Sequence, residues 1–291
     1  MVITGLTRNQ FAPKAHEGSN PSLSANNNFC CFLFQTAKVI FYLENRKGQN
    51  MKKAKNSSEL LWLLGIIFVA LGVTICSKAN LGVSMIAAPA FVVSEAISTL
   101  IPTFTVGVTE YIIQGLMLIV LCLIIRRFDW RYLLAFAVAV LYGYTLDLFL
   151  WVFKDIYFDT VWLRYVMLIV GDIITAFGVA CFFRTYMPLQ VYELFVAEIS
   201  KRFDINISKV KSIFDITLLI LSITLALILF GDVASFDWST IVSTSFHSIG
   251  IGTLITTIIN SPIIALMGKL IDHFFEKAPC FPPLERLLKR N

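Results

Sequence analysis

The sequence predicts an all-α, polytopic membrane bundle: six spans arranged as two inverted three-span repeats, each carrying one short re-entrant or interfacial helix. Three observations predict it. Of the 291 residues, 57% are hydrophobic and only 15% charged, where soluble domains carry about a quarter charged residues. Apolar runs recur at about the 20-residue length that a helix needs to cross a bilayer. The chain also superimposes on itself when shifted by about 106 positions.

Residues 1–50 stand apart. They are polar, show no helical period and contain no secretory h-region. The run Gly18-Ser19-Asn20-Pro21 is what the conserved T-arm of a bacterial tRNA gene gives when translated. We therefore expect this segment to be translated upstream DNA or a disordered tail, with Met51-Lys52-Lys53 as the ordinary start.

The first repeat is expected over residues 51–157, with spans near 60–77, 104–125 and 131–152 and a short helix over 83–98. The second is expected over 158–275, with spans near 163–183, 210–230 and 239–260 and a short helix over 188–203. Residues 276–291 read as a cytoplasmic tail. The short segments are interrupted by Pro89 and Pro188 and carry Glu95, Glu193 and Glu198, so they are too short and too polar to cross. If they dip into the bilayer, their positive N-terminal ends could face an anion at the midplane. If they lie flat, Glu193 and Glu198 are in water. Asn260-Ser261-Pro262 is expected to end or kink the last span, leaving a short amphipathic piece over 263–275.

Charge orients these spans. From Met51 onward, six crossings put sixteen Lys and Arg on one side and only Lys78, Lys154 and Arg164 on the other. The basic side is cytoplasmic by the positive-inside tendency, so both termini are expected there. The net charge of +5 is spread along span ends instead of gathered in a patch. That argues against a nucleic-acid partner and leaves the lipid bilayer as the main one, with a homo-oligomer compatible.

The repeat rests on three ordered matches. Gly65 and Gly72 recur as Gly171 and Gly178, Glu95 recurs as Glu198, and Phe128-Asp129-Trp130 recurs as Phe236-Asp237-Trp238. Three crossings per copy is an odd number, so the second copy must face the other way. Inverted repeats with broken helices are a recurring transporter plan, with the site near the midplane. The glycine pairs, two helical turns apart, suit close helix packing between the first and fourth spans.

Ionisable groups at membrane depth need a partner, water or a purpose. Asp172 in the fourth span and His247, read as mid-sixth span, are the leading candidates for a substrate or proton pathway. Ser243 shares a face with His247, and Glu110 has Gln114 one turn away. Asp147 and Asp215 lie nearer span ends, where snorkelling or a structural hydrogen bond competes with function. The cysteines have no metal-ligand spacing, and there is no H-E-x-x-H, P-loop or G-x-S-x-G pattern. No catalytic residues, metal or cofactor are expected, and the chain does not read as an enzyme. A permease for a small solute, with or without a proton, is the leading functional reading; a non-transporting scaffold or accessory subunit is the alternative.

Leu71-Gly72, Ala79-Asn80-Leu81-Gly82, Pro89 and the repeated half resemble the YczE/YitT-like bacterial membrane proteins over about residues 58–275. The resemblance implies an uncharacterised multi-span protein of the bacterial inner membrane. It carries no substrate and no site residues. No counterpart is expected here of the soluble C-terminal domain frequent in the YitT branch.

Overall fold

The computed structural model describes residues 54–101, 103–231 and 243–278. The expected upstream segment, the second Phe-Asp-Trp and most of the tail lie outside these residues. Eight helices are described: α1 (Ser58–Lys78), α2 (Ala88–Ser98), α3 (Val106–Ile125), α4 (Arg131–Val152), α5 (Val161–Phe182), α6 (Val191–Phe203), α7 (Ile207–Phe230) and α8 (Ile251–Phe274). Six are long and apolar enough to cross a membrane, which makes this an integral membrane protein; α2 and α6 are the short ones. A four-residue parallel pair, β1 (Ala54–Ser57) with β2 (Phe275–Ala278), joins the start of α1 to the end of α8.

Local chemistry sets the helix ends. Glu59 in the first turn of α1 and Lys78 in its last complement the helix dipole. Pro89 occupies the first turn of α2, where a missing N–H costs nothing. Thr105 accepts from Val108 N to open α3, and Asn206 accepts from Ser208 N to open α7. Gly231 closes α7 in the left-handed conformation (φ 65°).

The sixth span departs from expectation. It runs over Ile251–Phe274 instead of 239–260, with Pro262 inside it. Residues 246–249 form a tight two-residue turn, with Phe246 and Ile249 exchanging backbone hydrogen bonds and His247 and Ser248 at positive φ. Beyond Pro262 the apolar residues continue, and Ile264 and Ile271 are buried. Neighbouring helices re-satisfy backbone groups freed by proline, so a membrane helix can carry one.

The helices pack in a pattern that exchange of the two halves largely preserves. α1 packs on α5; α4 lies beside α1 and α8 beside α5; α3 pairs with α4 and α7 with α8; α2 packs on α7 and α6 on α3. The α1–α5 crossing is antiparallel. A Cβ on Gly65 would meet the Gly178 carbonyl oxygen at 3.2 Å, and one on Gly72 would meet that of Gly171 at 2.6 Å. Viewed from α5, Gly178 faces Gly65 and Gly171 faces Gly72. The absence of side chains at these four positions lets two backbones touch, which is how helices associate where no hydrophobic drive separates them from lipid.

The non-helical segment before α2 is buried: Leu81, Val83, Ser84 and Met85 are all at most 3% exposed. Its backbone is satisfied by the segment leading into α8, with Val83 N donating to Ser248 O (2.9 Å) and Gly252 N donating to Leu81 O (2.8 Å). Irregular backbone survives inside a membrane protein only when it is covered in this way. Both short helices have buried N-terminal ends and exposed C-terminal ends. Glu193, in the first turn of α6, is only 3% exposed, so that carboxylate is held within the protein and not in water.

Contacts sort the helix ends onto two faces. The start of α1 meets the α5–α6 segment through the Tyr186 hydroxyl, which donates to Glu59. Arg184, just past α5, donates to Gly268 O (2.8 Å) and pairs with Asp272 (3.2 Å) near the end of α8. On the opposite face, Lys78 at the end of α1 donates to Lys154 O, just past α4 (3.1 Å).

Candidate functional site

The interior holds a set of ionisable groups from five helices. On α3, Glu110 and Gln114 stack one turn apart, both fully buried, with Gln114 Nε2 donating to Glu110 Oε1 at 3.5 Å. On α7, Lys211 and Asp215 repeat that spacing, with Nζ donating to Oδ1 at 2.9 Å. Each pair occupies the same place in its helix, since α3 begins at Val106 and α7 at Ile207. α6 adds Tyr192, whose phenol interacts with Glu110, and Glu193, which feels Lys211, Glu110 and Asp215. α5 adds Asp172, within electrostatic reach of Asp215 and Lys211. Tyr142 of α4 closes the cluster toward Glu110 and Glu193.

The charge count is unequal. Glu110, Asp172, Glu193 and Asp215 are at most 3% exposed, and Lys211 is the one buried cation among the described residues. Both oxygens of Asp172, and one each of Glu110, Glu193 and Asp215, have no hydrogen-bond partner in the protein. An uncompensated charge inside a bilayer costs at least ~2.5–3.5 kcal/mol. The cluster is therefore built to receive positive charge, whether as protons or as a bound cation.

α8 supplies uncharged groups. It runs parallel to α5, with Gly252 against Leu168 and Gly268 against Arg184 at equal spacing on both helices. That register sets buried Thr256 level with Asp172 and buried Asn260 one turn further on. The Asn260 amide oxygen and nitrogen are both unpartnered.

Two pockets approach the short helices from opposite faces. One, of about 340 Å³, is lined by Arg131, Thr185, Tyr186, Met187, Pro188 and Leu194. The other, of about 230 Å³, is lined by Ser77, Lys78, Asn80, Phe91, Ser245 and Ser248. Each is walled by the segment that leads into a short helix, at corresponding places in the two halves.

Of the residues singled out in the sequence, Asp172, Glu110, Gln114 and Asp215 come together in this cluster. Three do not. Asp147 accepts from Thr105 Oγ1 (2.6 Å) and Gly107 N (2.8 Å), fastening the start of α3 to α4. His247 is outside any helix; its ring stacks on Phe230, and Nδ1 lies 2.8 Å from Glu95 Oε1. Ser243 is in the same loop, its carbonyl accepting from Arg164 Nη1 (2.9 Å). The shift of the sixth span moved both away from Asp172. Lys211, one of the sixteen Lys and Arg assigned to the basic side, is 5% exposed and belongs to the cluster. The only local hint is the spacing: a Lys and an Asp four apart on a helix can pair. Glu193 and Tyr192 offered no such pattern. Among the described residues, no three His, Cys, Asp or Glu side chains converge to hold a metal ion.

The chain matches the model of a family of unknown function, DUF6198, over residues 57–269. No curated protein and no solved structure matches the chain.

Proposed function

From the premise that this chain belongs to the DUF6198 family of unknown function, we propose that it is a secondary transporter of a small solute, working by exchange of two inverted repeats around the buried cluster. One observation carries the reading: a charged, incompletely paired cluster lies where the two halves meet, and each face offers a pocket beside the segment that leads into a short helix. Further support comes from the antiparallel α1–α5 crossing. A two-fold that swaps antiparallel helices lies perpendicular to them, in the membrane plane, which is the symmetry of inverted-repeat carriers. The element starts agree, with 58, 88 and 106 recurring at 161, 191 and 207, while the fourth helix of each half begins at 131 and 251 because the connection before α8 is longer.

The orientation belongs to the same proposal. The face with β1, β2 and Arg126-Arg127 carries most of the basic residues and is assigned to the cytoplasm of a bacterial cell, both termini included. Kinship with the YczE/YitT-like proteins, and the absence of catalytic chemistry, are further parts of it.

Cross-linking tests the mechanism without knowledge of the solute. Asn80 and Ser245 side chains are 2.9 Å apart beside the outer pocket, so Asn80→Cys with Ser245→Cys should lock that face shut. In a variant stripped of native cysteines, a reporter at Ala197, lining the inner pocket, should then label faster and more completely. Reactivity at Ala197→Cys that ignores the lock would overturn the transport reading and favour the static scaffold.

A further inference from the structure

We propose that the ligand of this cluster is a small primary ammonium ion, and that the Lys211 side chain is its tethered substitute when the site is empty. The inference rests on the cluster being the binding site of the proposed function, and it names the chemistry that site takes.

Geometry supplies the template. The Lys211 ammonium donates to Asp215 Oδ1 at 2.9 Å and leaves Oδ2 unpartnered. An ammonium seat is thus already built and already filled, but by a group on a flexible stem. Lys211 has two further carboxylates in its field, Glu193 and Asp172. It can give up Asp215 to an incoming cation and remain compensated. Asp172 is the independent sign that something more belongs here. It comes from a different helix, is fully buried, and both its oxygens lack partners. The Asn260 amide, also fully buried and unpartnered, offers a neutral acceptor on α8.

Charge sign and size narrow the class. Four carboxylates face one lysine, so an anion would add to an excess already present. A transition-metal ion would need several His, Cys, Asp or Glu ligands drawn close, and the described residues bring no three of these together. An ammonium needs separate acceptors at hydrogen-bond distance, as the Lys211 contact illustrates. Full burial of Asp172 and Asp215 restricts the cation to a few heavy atoms.

The test uses the purified full chain in detergent, with thermal unfolding followed against methylammonium chloride and, at equal ionic strength, N-methylglucamine chloride. Methylammonium should stabilise the wild type, and Lys211→Ala should respond at about tenfold lower concentration because its competitor is gone. Asp215→Asn should lose the response. Should Lys211→Ala unfold on extraction, its recovery in methylammonium but not in N-methylglucamine gives the same answer by chemical rescue. The proposal is overturned if methylammonium shifts neither the wild type nor Lys211→Ala, or stabilises Asp215→Asn as strongly as the wild type. Binding is read here without transport. A normal methylammonium response with an unresponsive Ala197→Cys reporter would remove the transporter and keep the site; the reverse would keep the transporter and remove the ammonium.

Discussion

Replacing Gly72 with alanine should destabilise the bundle more than the same change at Gly65, although both glycines lie on one face of one helix. A Cβ at position 72 would press on Thr175 Oγ1 and stand 2.6 Å from both the Gly171 carbonyl oxygen and Thr175 N. Two of those atoms are helix backbone and cannot rotate away. Ordinary contact begins near 3.4 Å, so α1 and α5 must separate by most of an ångström. A gap of that size forfeits a quarter to a half of each dispersion contact along the crossing. Overpacking of this kind costs about 1–3 kcal/mol, and the first 1–2 of these lower the folded-to-unfolded ratio roughly 5- to 30-fold. Gly178→Ala should behave similarly, since its Cβ would meet Val69 Cγ2 at 2.7 Å and the Gly65 carbonyl oxygen at 2.8 Å. Gly65→Ala has its nearest neighbour at 3.2 Å, and alanine's helix preference of about 1 kcal/mol over glycine offsets the crowding. It should be neutral. The assay is unfolding of purified variants in mixed micelles with increasing SDS, read by circular dichroism. Wild-type stability for Gly72→Ala, or a larger loss for Gly65→Ala than for Gly72→Ala, would refute the close crossing.

Three further outcomes follow from named contacts. Lys211→Met strands Asp215 and its neighbours without their cation and should cost about 3–5 kcal/mol in the same assay; adding Asp215→Asn should restore most of it. Asp147→Ala removes both bonds that hold the start of α3 and should cost about 1–2 kcal/mol, seen as a lower unfolding midpoint. Cysteines placed at Arg126 and at Lys154 should react with a membrane-impermeant maleimide from opposite sides of sealed vesicles. Labelling of both from one side would contradict the six-helix arrangement.

The membrane class and the number of crossing helices were legible because hydropathy over 20 residues measures the quantity that drives insertion. The boundaries of α8 were not. A hydroxyl-rich segment such as Ser239–Ser248 scores as tolerably apolar, and only its tertiary contacts show residues 246–249 turning under α2. The Pro262 signal predicts an end or a kink; in a packed bundle the helix carries the proline and runs on to Phe274. Asp172 and Glu110 could be found because an acid within an apolar run is conspicuous. Lys211 escaped because a lysine near a span end normally reaches for water. Whether it does so or turns inward depends on Asp215 one turn away and Glu193 on another helix, and a count of loop charges registers neither. His247 illustrates the opposite error, a rare residue type given a central position by a helix that begins after it.

The α1–α5 crossing has a further consequence. Each helix presents the other with the same notch, read in reverse order, so the joint is self-complementary in the manner of a two-fold dimer interface. What holds the two halves together is therefore independent of the covalent link near Lys154–Thr160. Severing the chain there and producing the pieces as separate polypeptides should still give a stoichiometric, correctly opposed pair. A lone half, inserted in both orientations, would carry in its own glycines the means to find an upside-down copy of itself.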